Sequence, residues 1–241
     1  MSSMLGAVRR IEAAPYAFPL NREIDAKTTA LIVIDVQGDF CADGGYMAGY
    51  GFDLSALRKP IPQIQALLSA CRENSITVVH TRETFAPDLS DVQAHRLWRG
   101  VDGQGVAVGD RGPNGRYLIK DEPCWEIIPE VAPIAGEAIF DKPSYGAFST
   151  TAIHAYLQDK GIRDLIFAGL TSDCCIHTTV REALDHGYDT LTVSDATAAG
   201  TEEVHEAAIR LLIKKSGVFG AVATTAAVLS AVNSTVPSKT V

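Results

Sequence analysis

The chain has 241 residues, of which 46% are hydrophobic and 21% charged, the balance of an ordinary globular protein with enough length to bury a full core unaided. A formal net charge of −8 argues against a nucleic-acid partner, which needs a basic face. No run approaches the roughly 18 consecutive apolar residues of a membrane span, and the five cysteines (Cys41, Cys71, Cys124, Cys174, Cys175) are odd in number and irregularly spaced, unlike a secreted disulfide framework or a Cys-x-x-Cys zinc clip.

The N-terminus has no apolar core of the signal-peptide type, so the expected location is cytoplasmic. Residues 1–29 read as an arm with a proline-containing apolar patch from Pro15 to Leu20, of the kind that packs across its own domain or a neighbouring subunit. Residues 30–232 read as one domain and 233–241 as a loose polar tail. Within the domain, Ala30–Val36 is a β-branched run suited to a strand buried on both faces. Ile61–Arg72 has helical spacing, and Ile76–His80 and Glu137–Asp141 are short strands. A helix follows near Thr150–Gln158, then a strand at Arg163–Gly169, a helix at Cys174–His186, a strand at Thr190–Ser194 and a helix at Glu202–Lys214. Val218–Val222 is a sixth strand, with a short helix after it. This alternation predicts an α/β fold: a single-domain, doubly wound, mostly parallel sheet of six strands with helices on both faces. The rhythm breaks only between Thr81 and Gly136, a long insertion rich in Gly, Pro and charge, which marks a functional loop.

In an open parallel sheet, ligands bind beyond the carboxyl ends of the strands. Asp35, His80, Asp141 with Lys142, the run Thr171-Ser172-Asp173-Cys174-Cys175 and Asp195 all stand there. An acid, a lysine and a cysteine thus converge from three strands. Asp173 or Ser172 is a plausible helix N-cap, which places both cysteines in a first turn whose dipole favours a thiolate. Helical phase sets Cys174 in a polar row and Cys175 nearer the sheet. Both cysteines also fit as small core fillers, Lys142 as a side chain snorkelling to water, and Asp35 as a loop cap rather than a proton carrier. A redox-active Cys174–Cys175 pair would need strained geometry. His177 lies two residues from Cys175 and faces the other side of the helix, which leaves His80 as the candidate histidine. No set of residues has convincing metal-ligand spacing, and "ADGGYMAGYG" lacks the nucleotide-binding glycine pattern.

Three motifs, in order, resemble the isochorismatase-like cysteine hydrolases: "TALIVIDVQGDF", "FDKPSYGAF" and "GLTSDCCIHTTVREALDHGY". The resemblance spans about residues 28–232. Segments such as "PYAFP", "HTRETFAPDLSD", "GDRGPNGR" and "GVFG" are most similar to the biuret-hydrolase branch. The resemblance implies a catalytic Cys175–Asp35–Lys142 triad, an oxyanion hole from the backbone N–H groups of Thr171 and Cys175, and a cis peptide at Leu170–Thr171. It implies no cofactor and no metal, a small-molecule amide substrate, a homo-oligomer, and Phe40 and Tyr145 as pocket walls. Where the biuret-hydrolase branch holds a glutamine against the ureide, this chain has Lys215, which donates but cannot accept, as suits a substrate with an anionic end. The expected reaction is cleavage of a C–N bond in a small linear amide or ureide through a thioester, with ammonia released. Two alternatives stand beside it: an amidase for a carboxylated amide such as ureidoacrylate or maleamate, and a non-catalytic binder on the same fold.

Overall fold

The structure is a computed structural model that describes residues 9–98 and 105–233, the side chain of Lys215 excepted. Its centre is Thr29–Ile34 (β1), six residues that are all buried. Side chains alternate across a strand. Leu31 and Val33 therefore join one apolar cluster, while Ala30, Ile32 and Ile34 join another. A strand that feeds two cores needs helices on both faces. Helices Ile61–Glu73 and Thr225–Asn233 supply one layer, with Ile64, Leu67 and Val228 in the first cluster. Helices Ile153–Asp159 and His177–Asp185 supply the other, with Leu157 and Val180 in the second.

The remaining strands are Thr77–Glu83 (β2), a small hairpin of Arg111–Gly112 (β3) and Gly115–Arg116 (β4), Ala138–Lys142 (β5), Asp164–Leu170 (β6), Asp189–Ala198 (β7) and Ala221–Ala223 (β8). The main sheet runs β5-β2-β1-β6-β7-β8, and every pair in it is parallel. This is the doubly wound architecture expected from the alternation. No helix among the described residues is long and apolar enough to cross a membrane.

Three strands differ most from expectation. β2 continues past His80 to Glu83, and β7 past Ser194 to Ala198. The last strand contracts from 218–222 to Ala221–Ala223, because Gly217 and Gly220 adopt φ of +81° and +93° and leave Val218 exposed. Of the expected tail, 233–241, Asn233 instead ends the helix Thr225–Asn233, and 234–241 lie outside the described residues. In the arm, Ile11 and Phe18 are fully buried and exchange backbone hydrogen bonds. Ala14 pairs antiparallel with Val222, so the arm covers the open edge of β8.

The long insertion is fastened to the loop after β1. Asp39 accepts the backbone N–H of Tyr46 at 3.2 Å and that of Leu118 at 2.9 Å. Burial pushes the Asp39 carboxyl up from 3.8 to about 6, against the pull of those two bonds.

Two outcomes are expected. Gly169, with φ +114°, lies so close to β1 that an added Cβ would stand 2.1 Å from the carbonyl oxygen of Ile34. Gly169→Ala should therefore destabilise the fold by about 3 kcal/mol or more and displace the strand end that carries Asp35, as read by urea unfolding. Because folding raises the Asp39 pKa, the native state binds more protons than the unfolded chain between 3.8 and about 6. The Asp39 contribution is thus present at low pH and fades as pH rises through that window. Asp39→Asn should remove this component, so the difference in melting temperature between the two proteins should change from pH 4 to 6 and stay level above 7.

Candidate active site

Asp35 follows β1 directly and adopts φ +51°, a conformation that aspartate tolerates better than most residues. Its N–H bonds the carbonyl of Thr81 at 3.2 Å, and its Oδ1 accepts the Thr81 hydroxyl at 2.7 Å. Lys142 closes β5, where it shares a face with Phe140 and is completely buried. Its Nζ lies 2.7 Å from Asp35 Oδ2 and donates to the carbonyl of Ser144 at 2.9 Å. Burial alone would lower the Lys142 pKa, but the negative charges beside it, Asp35 first and then Glu83, outweigh it and hold the ammonium above its ordinary value.

The nucleophile turn departs from a simple α-helical start. Thr171 caps it without a side-chain bond, and a wide turn over Ser172–Ile176 carries a hydrogen bond from Ile176 N back to Thr171 O at 3.1 Å. Neither Ser172 nor Asp173 is the cap. Ser172 instead bonds His205 Nδ1 at 3.0 Å, and Asp173 is exposed. The α-helix proper begins at His177. The peptide between Leu170 and Thr171 is cis. Cys175 is 2% exposed and sits in the sheet-side cluster, while Cys174 is half-buried.

Beyond its own turn, the Cys175 thiol contacts Glu83, whose Oε2 lies 3.8 Å from Sγ. Glu83 reaches the site because β2 runs three residues farther than its apolar run. Thr81 and Glu83 then share the face turned toward Asp35, and His80 takes the opposite one. His80 accordingly leaves the site: its Nε2 meets Glu137 Oε2 at 3.1 Å. Gln37 holds the end of β2 in place, accepting Glu83 N at 2.7 Å and donating to the carbonyls of Glu83 and Trp125 at 3.1 and 2.7 Å. Glu83 Oε1 forms an ion pair with Arg96 Nη1, both side chains being 4% exposed. The Arg96 guanidinium stacks 3.8 Å over the Tyr145 ring.

These groups line a pocket of about 250 Å³. Phe40, Tyr46, Met47 and Tyr145 form apolar walls, and Thr171, Glu83, Arg96 and Cys175 bring the polar atoms. Phe40 and Tyr145 thus stand where expected, and Thr171 and Cys175 share the pocket. Lys215 belongs to the short helix Lys214–Gly217, but its side chain lies outside the described residues. His177 is structural: Nε2 contacts the carbonyl of Ala208 at 3.2 Å, and Nδ1 accepts Arg181 Nε at 3.1 Å. A second cavity of about 260 Å³, between Lys59 and His205, is lined by Asp195 from the end of the fifth expected strand but by none of Asp35, Lys142, Cys175, Thr171, Phe40 or Tyr145.

Among the described residues, Asp35, Glu83 and Cys175 are the one group of three with potential ligand atoms within 4.8 Å of one another. The Lys142 ammonium already supplies positive charge there, and it would repel a metal cation. The Cys175 thiol is pushed well above its ordinary pKa by a hydrogen bond with Cys174, by burial and by the carboxylates of Asp35 and Glu83, with the charge of Lys142 opposing. The resting sulfur is therefore a protonated thiol, in a setting with two carboxylates near enough to take its proton.

The chain is similar to known proteins in sequence and in fold. The Isochorismatase domain family matches residues 29–227. A ureidoacrylate amidohydrolase RutB of Methylorubrum extorquens is 31% identical over 189 residues, which is 77% of this chain and 76% of that protein. A cysteine hydrolase from Pseudomonas syringae pv. phaseolicola 1448A superposes with a TM-score of 0.73 at 27% identity, over 88% of this chain and 95% of its own. The N-carbamoylsarcosine amidase of Thermoplasma acidophilum shares the fold, with a TM-score of 0.62 at 23% identity over 82% of this chain and 96% of its own. With a family match across nearly the whole sheet and its helices, the chain belongs to the isochorismatase family.

Proposed function

We propose that this chain is a cysteine-dependent amidohydrolase that cleaves a C–N bond of a small linear amide or ureide and releases ammonia, without a cofactor. The observation that carries this reading is the completely buried Lys142–Asp35 pair beside Cys175 at a pocket edged by strand ends. A buried ion pair is a weak device for stability, since its desolvation offsets much of its attraction. A charge pair of this kind next to a nucleophile type fits proton transfer better. The family match and the ureidoacrylate amidohydrolase relatives support amide hydrolysis as the reaction class.

In the proposed sequence, Asp35 takes the proton from the Cys175 thiol and the sulfur attacks the amide carbonyl carbon. The backbone N–H groups of Thr171 and Cys175 receive the developing oxyanion. Lys142 stays protonated throughout and offsets the negative charge that passes between Asp35 and sulfur. The C–N bond then breaks, Asp35 returns the proton to the departing nitrogen, and ammonia leaves. Water adds to the resulting thioester, its proton passing to Asp35, and collapse restores the thiol. Phe40 and Tyr145 exclude solvent from the reacting face.

A second reading is an amidase for a carboxylated amide such as ureidoacrylate, with Lys215 contacting the carboxylate. It is favoured by the name of the 31%-identical relative.

Ammonia release from a panel of biuret, ureidoacrylate and maleamate tests the proposal. Cys175→Ala should abolish turnover, and Asp35→Asn or Lys142→Met should lower kcat by about 10²- to 10⁴-fold. An acyl adduct on Cys175 should appear by intact mass after rapid quench. A non-catalytic binder would instead bind members of the panel and release no ammonia. The raised thiol pKa gives a separate check. Alkylation of Cys175 by iodoacetamide in the free protein should be slow at pH 7 and accelerate above pH 9. Lys142→Met, which removes a charge that lowers this pKa, should move the acceleration to still higher pH.

A further inference from the structure

Glu83 and Arg96 come from different places in the sequence, the end of β2 and the long insertion. They meet in the pocket with their side chains 4% exposed. The pair is only partly satisfied internally. Glu83 Oε1 holds Arg96 Nη1, which leaves Oε2 with nothing better than a 3.8 Å contact to the Cys175 thiol. Arg96 Nη2 is buried and has no acceptor among the described residues. A buried guanidinium N–H without an acceptor is uncommon, and in a pocket wall a ligand oxygen accounts for it. Stacking on Tyr145 fixes the plane of the guanidinium, so its free N–H has a set direction before any ligand arrives. Gln37 fixes the other partner by holding both backbone polar groups of Glu83.

Charge decides which kind of oxygen belongs there. With Cys175 as a thiol, the buried charges around the pocket among the described residues are Asp35 and Glu83 against Lys142 and Arg96, and they balance. Asp173 adds a further negative charge at the exposed rim. Among the described side chains no further cation faces a substrate carboxylate, which would enter as an anion close to Glu83, a costly arrangement at low dielectric. A neutral carbonyl oxygen can take the Arg96 N–H without that cost. Glu83 can then accept an adjacent N–H, and the pair presents one acceptor and one donor side by side. This matches the hydrogen-bonding edge of an amide group.

We propose that Glu83 and Arg96 are the specificity-determining pair of this site. Glu83 accepts an N–H and Arg96 donates to a second carbonyl oxygen, so the pocket selects neutral ureides in which an N–H adjoins a second carbonyl over carboxylated amides. This rests on the amidohydrolase reading for its chemistry but not for its binding. Neither residue takes part in the proton transfers assigned to Asp35, Cys175 and Lys142.

The test compares biuret, biuret methylated on its central nitrogen, and ureidoacrylate, in turnover by the wild type and in calorimetric binding to Cys175→Ala. Binding is measured without catalysis, so it decides the inference even if the hydrolase reading fails, while absence of Cys175-dependent ammonia from every substrate would count against that reading alone. Biuret should bind Cys175→Ala at least about tenfold more tightly than either other compound, as expected for a charge-assisted hydrogen bond lost or a buried anion added. Glu83→Gln and Arg96→Lys should raise KM for biuret more than they lower kcat. Glu83→Gln should also reduce the preference for biuret over its methylated form. Melting curves identify any variant that fails to fold, in which case the three-ligand comparison on Cys175→Ala stands by itself. Equal binding of the three compounds, or tighter binding of ureidoacrylate, would overturn the proposal. So would a fall in kcat for Glu83→Gln that is the same for every substrate, which would make Glu83 a proton acceptor for the thiol rather than a reader of substrate.

Discussion

A completely buried ammonium must have a fixed anion beside it, and much of this molecule is arranged around that requirement. Lys142 ends an edge strand and Asp35 ends a central one, with β2 lying between them. Their 2.7 Å contact exists only if β5, β2 and β1 stop at matching heights. Thr81 on the intervening strand supplies the spacer: its carbonyl takes the Asp35 N–H and its hydroxyl binds the Asp35 carboxylate. Removing either charged partner would leave the other buried and unpaired, a loss of about 3–5 kcal/mol. The register of three strands is thereby coupled to the electrostatics of one site.

The same economy extends outward through side chains that hold backbone. Gln37 has both polar atoms of its side chain engaged, and it ties the loop after β1 to the end of β2 and to Trp125 of the insertion. Asp39 does the same for Tyr46 and Leu118. The insertion is therefore held against the strand ends at several points, and it delivers Arg96 to a pocket whose floor belongs to the sheet. Positions set by such locked supports can present a ligand with hydrogen-bonding groups already oriented, which lowers the ordering cost of binding. Glu83 and Arg96 gain their proposed role from this support as much as from their charges.

Much of the fold was legible in the chain because burial on both faces leaves a plain signature. "ALIVIDV" and "RDLIFAG" admit no polar face, and the strands between helical patterns followed in order. The convergence of Asp35, Lys142 and Cys175 at one sheet edge was also legible, since each residue closes or follows such a run. Boundaries were less so. β2 appeared to end at His80 because its apolar residues stop there, yet its backbone ladder continues with Thr81, Arg82 and Glu83. Polar residues at a strand end look like the start of a loop, and that is why His80 drew attention that belonged to Glu83.

The sequence by itself determined the sheet, its helical layers and the acid, lysine and thiol at its edge, because local patterning and strand order are encoded by neighbours along the chain. Tertiary structure alone decided which side chain meets which. The Glu83–Arg96 pair joins a strand end to an irregular insertion without periodicity. The wide turn at Ser172–Ile176 replaced the expected cap, and His205, 33 residues away from Ser172, took the hydroxyl that would have formed it. Such contacts depend on long-range packing that closes a low-dielectric space, and there pairing is governed by distance and desolvation rather than by sequence spacing.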